Sequence, residues 1–227
     1  MGPDARVAVY YAPQADDPLS AAASAWLGRA PTSDAPVQQP DIANIAEVTA
    51  EPRLYGLHAT LKPPMRLASG CGWDDVVAGV TILAEHIAPF DLPTLSVQDV
   101  FGFLALRETA TSAPLQALAD ACVEHLDAFR AQPSDSELAR RRRANLTCRQ
   151  DEMLIRWGYP YVFDTWFFHL TLTRRLSAME KQVFMPAAEA YFARALATPR
   201  RVNDICLFVQ PVPGAPFVIR ERLPLRG

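Results

Sequence analysis

The chain has 227 residues, half of them apolar and about a fifth charged, so it can bury a substantial core and is not a disordered segment. Its net charge of −3 argues against the basic footprint that binding of long nucleic acid requires. Four cysteines without a Cys-x-x-Cys pair, no apolar run of membrane-spanning length and no secretory leader around Asp4 and Arg6 set the expectation of a cytoplasmic protein with reduced, mostly buried thiols.

Residues 6–12 alternate as a strand, with Val7, Val9 and Tyr11 on one face, Ala8 and Tyr10 on the other, and Pro13 at the end. Residues 18–27 predict a helix that Pro18 opens and Gly28 closes. Residues 30–52 read as a surface connection with a short helix near 42–48. The strand predicted at 55–62 stops at Pro63-Pro64. Residues 73–87 carry apolar side chains at helical spacing, and 94–100 and 101–106 read as strands about a tight turn at Gly102. Helices are expected over 113–130 and 134–143, the second ending in Arg140 to Arg143, and a capping box at Thr147 and Gln150 starts another that runs to about Trp157. An aromatic turn, Gly158-Tyr159-Pro160-Tyr161, leads into a strand over 166–173. A helix over 178–196 and strands over 201–210 and 217–222 complete the chain.

Two of these strands share a motif. His58-Ala59-Thr60-Leu61 and His169-Leu170-Thr171-Leu172 are both His-x-Thr-Leu. Alternation puts Gly56, His58, Thr60 and Lys62 on one face of the first strand, and Phe167, His169, Thr171 and Thr173 on one face of the second. The opposite faces, Tyr55, Leu57, Ala59 and Leu61 and then Trp166, Phe168, Leu170 and Leu172, are apolar backs. A lone His beside Thr in a strand is most often structural; its recurrence makes the pair a candidate site. Around each motif the order strand, helix, strand, strand repeats, an internal duplication. Without strict βαβ alternation, this order favours an α+β fold with antiparallel sheets. The expected arrangement is a single domain, 1–227, of two pseudo-symmetric lobes about a central cleft. Lobe one covers about 1–110 with the first motif, a helical connection covers 111–160, and lobe two covers 161–227 with the second motif.

Two imidazoles facing one cleft can act as general acid and general base near neutral pH. Thr60 and Thr171 can donate to anionic oxygens, and Lys62 would add a fixed positive charge. These parts suit a phosphodiester. No metal is expected, because neither motif strand sets a carboxylate beside its His on the same face and there is no His-x-x-x-His pair. The chain has no Gly-x-Ser-x-Gly elbow and no Gly-rich nucleotide loop, so no cofactor is expected either.

The paired motifs resemble the two-histidine (2H) phosphoesterase superfamily, which includes LigT-like cyclic phosphodiesterases. More closely, residues 6–13, 55–62, 101–106, 140–150, 157–163 and 168–173 resemble a bacterial family of phosphonate-metabolism proteins without an assigned function. The superfamily resemblance implies two lobes that each contribute one His-x-Thr strand, and catalysis by His58, Thr60, His169 and Thr171. The closer one implies an association with carbon–phosphorus lyase genes, whose pathway yields a ribose 1,2-cyclic phosphate. The expected function is therefore metal-independent hydrolysis of a small cyclic phosphate, with a small phosphorylated molecule as partner and neither membrane nor long nucleic acid. Processing of RNA 2′,3′-cyclic phosphate ends and non-catalytic binding of a phosphorylated metabolite are the alternatives.

Further substrate-binding candidates each have an ordinary structural reading. Tyr10 lines the cleft or is a sheet tyrosine, and Tyr159 and Tyr161 cap the site or pack as an aromatic turn. Arg143, in the run from Arg140, holds a terminal phosphate or lies on a solvated helix face, and Arg149 has the same two readings.

Overall fold

Local signals set the early elements. β1 (Arg6–Tyr11) leads to α1 (Pro18–Leu27). The Asp17 side chain accepts from the Leu19 amide at 2.8 Å, Pro18 opens the first turn, and Gly28 closes the helix at a φ of 77°. Two single-turn helices follow, α2 (Ile45–Val48) and α3 (Ala50–Arg53). β2 (Ala59–Met65) begins after His58 and runs through Pro63 and Pro64 instead of stopping at them. It is an edge strand, where a missing N–H is tolerated. The computed structural model describes residues 2, 4–33 and 35–227.

Next come α4 (Trp73–Glu85), the short β3 (Phe90–Leu92), and the hairpin β4 (Leu95–Val100) and β5 (Phe103–Glu108). The hairpin turns on Phe101 and Gly102, both at positive φ, as tight two-residue turns require. α5 (Ala113–His125), α6 (Asp135–Arg142) and α7 (Cys148–Trp157) form the helical stretch, and α7 starts at the expected Thr147–Gln150 capping box. β6 (Leu170–Arg175), α8 (Ala178–Leu196), β7 (Arg200–Val202), β8 (Asp204–Gln210) and β9 (Val218–Pro224) complete the fold.

The architecture is α+β, with antiparallel sheets flanked by helices. One sheet has the order β2-β1-β8-β9, the other β4-β5-β6, and β3 pairs with β7. The duplication appears as β2-α4-β3-β4-β5 followed by β6-α8-β7-β8-β9. The sheets nevertheless do not follow the lobe boundaries expected near residues 110 and 161. β6 joins the hairpin of the first repeat, and β2 reaches the hairpin of the second through β1. The physical reason lies in the apolar backs. Leu57, Ala59, Leu61, Phe168, Leu170 and Leu172 enter one hydrophobic cluster with Trp26, Val80, Leu118 and Phe192 from the helices. Each Leu or Phe among them contributes roughly 1.5–3 kcal/mol on burial, and that shared core favours crossing over two separate halves.

Cys122 and Cys206 are buried, whereas Cys71 is half-buried and Cys148 exposed, so burial of the thiols is less general than expected. Among the described residues no helix is long and apolar enough to cross a membrane.

Candidate active site

Each histidine stands one residue ahead of its strand, held by the main chain. His58 Nδ1 lies 2.9 Å from the Gly56 carbonyl oxygen, and His169 Nδ1 lies 3.1 Å from that of Phe167. A carbonyl only accepts, so Nδ1 carries the hydrogen in both rings, and Nε2 of the neutral form keeps its lone pair. Gly56 permits the first anchor. Its φ is 70°, and a Cβ there would come within 2.9 Å of the Pro31 Cβ. Each imidazole also lies on an aromatic ring: Tyr10 stacks on His58 at 3.8 Å between centroids, and Phe167 on His169 at 4.7 Å. The motifs are tied together by the Trp166 indole, which donates to the Thr60 carbonyl at 2.7 Å.

A cavity of about 470 Å³ opens over this junction. His58, Thr60, Thr171 and Thr173 form part of its wall, together with Tyr10, Tyr55, Tyr159, Glu51 and the arginines Arg6, Arg140 and Arg141. The lining stops short of His169, whose neighbours on the same face, Thr171 and Thr173, belong to it. Among the described residues neither the Thr60 nor the Thr171 hydroxyl has a hydrogen-bond partner. The Thr173 hydroxyl is different: it is buried and accepts from the Leu104 amide at 3.0 Å.

Burial pushes His58 down to about 4, and a charge on His169 pushes the same way, against the pull of the Gly56 carbonyl. His169 is also lowered, by burial and by Arg107, against the Phe167 carbonyl. Burial raises Tyr10 and Tyr159, so both phenols stay protonated and able to donate. Neutral imidazoles beside hydroxyl donors and guanidinium groups can exchange protons with a bound anion and hold its oxygens. Among the described residues no three His, Cys, Asp or Glu side chains converge as a metal-binding group.

Of the three tyrosines with two readings, Tyr10 and Tyr159 line the cavity, while Tyr161 is outside the lining and edge-on to Tyr159 at 5.5 Å. Lys62 is not in the cleft. The register runs from Tyr10↔Thr60 to Val9↔Lys62, so one extra residue in β2 turns Lys62 to the face opposite Thr60. There it is 1% exposed, and its ammonium donates to the Val123 carbonyl and the Asp127 carboxylate. Arg143 also falls outside the cavity, exposed at the C-cap of α6. Helix geometry divides the arginine run: Arg140 and Arg141 lie three and four residues after Glu137, on the side that borders the cavity, Arg141 half-buried and Arg140 exposed, whereas Arg142 pairs with Asp151. Arg149 is exposed and paired with Asp164 and Glu152. The sequence reading missed Arg6, although the alternation that exposes Tyr10 puts Arg6 on the same face of β1; it also missed Glu51 and gave Tyr55 to the apolar back.

The family described as "Protein of unknown function (DUF1045)" matches residues 60–218, more than two thirds of the chain. The chain is 38% identical over 231 residues to a protein named ribose 1,5-bisphosphate phosphokinase PhnN from Janthinobacterium sp. (strain Marseille), a match covering 98% of this chain and 51% of that protein. It is likewise 38% identical over 215 residues to the protein of the same name from Laribacter hongkongensis (strain HLHK9), covering 93% and 50%. The chain thus spans about half the length of the curated relatives it matches. The structure of Kluyveromyces marxianus Usb1 aligns over 97% of both chains at a TM-score of 0.38 and 10% identity, a likeness too weak to support an argument. By the extent of the family match, the chain belongs to the DUF1045 family of proteins of unknown function.

Proposed function

We propose that this protein is a metal-independent phosphodiesterase of the two-histidine kind that opens a small cyclic phosphate. The observation that carries the reading is the matched anchoring of His58 and His169, each with Nδ1 fixed to the carbonyl two residues before it and a threonine two residues after it. One neutral imidazole takes a proton at Nε2 from water as the water oxygen bonds to phosphorus. The other, protonated, delivers its Nε2 proton to the departing ester oxygen as that P–O bond breaks. His58, whose charged form is disfavoured down to about 4, suits the neutral role. Thr60 and Thr171 donate to the non-bridging oxygens as charge grows on them.

The names of the relatives bring in a ribose carrying phosphates at C1 and C5. This chain has no Gly-rich nucleotide loop, so we assign the phosphokinase activity to the part of those proteins outside the match. Cleaving a ribose 1,2-cyclic phosphate at O2 leaves a phosphate on C1, the kind of product such a kinase consumes. A ribose 1,2-cyclic phosphate, as in phosphonate catabolism, is therefore the substrate we favour.

The test is turnover of ribose 1,2-cyclic phosphate and of a 2′,3′-cyclic nucleotide, with and without chelator. His58→Ala and His169→Ala should each lose about 10²–10⁴-fold in rate, and the double variant less than the product of the two. Near-normal turnover by folded single variants overturns the acid–base assignment. Activity abolished by chelator and restored by zinc overturns the metal-independent one.

A further inference from the structure

Arg6, Arg140 and Arg141 border both the main cavity and a smaller one of about 40 Å³ that adjoins it, so they mark where the cleft continues beyond the threonines. They arrive from β1 and α6, elements far apart in sequence. Each contact the structure gives these groups is with an uncharged one. The Arg6 Nε donates to Gln210 Oε1 at 2.8 Å, and its guanidinium lies 5.4 Å over the Phe217 ring. The Arg141 guanidinium lies 4.9 Å over the Tyr159 ring. Among the described residues none of the three forms an ion pair. Four arginines of the region do, Arg66 with Glu137, Arg130 with Asp127, Arg142 with Asp151 and Arg149 with Asp164, whereas the exposed Arg143 does not.

Carboxylates are thus available in this region and are spent on other arginines. Like charges gathered without a counter-ion repel, and for the half-buried Arg6 and Arg141 the loss of water adds to the cost; Arg140 is exposed. Burial lowers Arg141, and Arg140 and Arg6 push it the same way, against Tyr159 and Glu137. Glu51 is the acidic residue in the wall of the main cavity, exposed and without an ion pair among the described residues. A cyclic phosphodiester carries one negative charge, and the Thr60 and Thr171 hydroxyls already address it. A guanidinium trio exceeds that need and matches the dianion of a phosphomonoester, which guanidinium forks grip bidentately.

We propose that Arg6, Arg140 and Arg141, with the Tyr159 hydroxyl, form a second anion subsite that holds a phosphomonoester elsewhere on the substrate. This rests on the phosphodiesterase reading and narrows it: the substrate is a sugar cyclic phosphate that already bears another phosphate. The enzyme that supplies it leaves that monoester in place, and the product is a bisphosphate. The reaction stays balanced, since water adds to phosphorus, one ring P–O bond breaks, the freed oxygen takes a proton, and the monoester is untouched.

The experiment compares adenosine 2′,3′-cyclic phosphate with its 5′-phosphorylated form as substrates, and titrates ribose 5-phosphate by calorimetry. The native protein is expected to favour the 5′-phosphorylated substrate in kcat/KM by about a hundredfold, from one or two charge-assisted contacts. That ratio should fall toward one in Arg6→Gln and Arg141→Gln, with the loss in KM. Ribose 5-phosphate should bind the His58→Ala/His169→Ala double variant, and bind at least tenfold more weakly once Arg141 is also replaced. Turnover of both substrates with a ratio near one in the native protein overturns the subsite while leaving the phosphodiesterase intact, and needs no variant. Turnover of neither, and none of ribose 1,2-cyclic phosphate, with ribose 5-phosphate binding that depends on Arg6 and Arg141, overturns the phosphodiesterase and keeps the subsite. Ribose 5-phosphate binding that ignores both arginines overturns the subsite.

Discussion

Lys62→Met removes an ammonium that is 1% exposed and donates to the Val123 carbonyl at 3.1 Å and the Asp127 carboxylate at 3.0 Å. Two losses and one gain set the size of the effect. The Val123 carbonyl loses this donor, and a buried polar group left unpaired costs about 1–3 kcal/mol. Asp127 loses one cation but keeps Arg130, which reaches both its oxygens at 2.8 and 2.9 Å, so the full penalty of a stranded charge does not apply. The gain is that no ammonium is held out of water; burial lowers Lys62 in spite of Asp127, which marks that strain. Met is of similar length and fills the space. The net is a loss of about 2 kcal/mol, or about 4–8 °C in Tm for a chain of this size. Thermal unfolding followed by circular dichroism reads the stability, and cyclic phosphate hydrolysis reads the chemistry. Turnover should stay within about threefold of the native rate, a margin of under 1 kcal/mol. A folded Lys62→Met protein with native Tm and a hundredfold lower rate would refute the reasoning, because it would return the lysine to the cleft.

Further expectations concern the site. Both imidazoles are pushed below the ordinary histidine value of about 6.5, so the bell in kcat/KM, which needs one ring protonated and one neutral, should peak on the acid side of pH 6.5; a free-enzyme optimum above 7.5 would contradict this. The same depression makes the unfolded chain bind more protons between pH 6.5 and about 4, so stability falls as pH drops through that window, by no more than about 3 kcal/mol for His58, and urea midpoints at pH 7 and 4.5 measure it. Thr60→Val and Thr171→Val should lower kcat by about ten- to a thousandfold with little change in Tm. Thr173→Val should do the reverse, because its hydroxyl serves the Leu104 amide, and a kcat loss there without a Tm loss would move Thr173 into the chemistry.

What the sequence displays depends on how local the determinant is. α1 begins and ends where expected because its signals, Pro18 and Gly28, are contiguous with it, and α8 keeps its expected bounds, with Ser177 and Glu180 forming a capping box at its start. The two histidines are legible because a repeated motif needs no structure to be noticed. The Lys62 error has a different origin. Strict alternation fails at one extra residue in β2, and that residue is visible only against the partner strand. Arg6 needed no more than two-residue periodicity carried back from Tyr10, whereas choosing Arg141 over Arg143 needed the inward stripe of α6. The exchange of strands between repeats could not be read locally, since it is decided by which apolar face fills the shared core.

That exchange governs when the site comes into being. β1 lies between β2, whose contacts bridge about fifty positions, and β8, whose contacts bridge about two hundred, as the Arg6 to Gln210 bond does across 204. A growing chain therefore carries β1 with one edge bare until β8 emerges. β4 and β5 wait in the same way for β6. Contacts of such span form slowly, because loop closure precedes any return from them. Fragments cut between the repeats would leave open edges that seek any strand, and two complementary fragments mixed together would find the native ones. The cleft is a late product of folding, complete only when the two repeats have closed on each other.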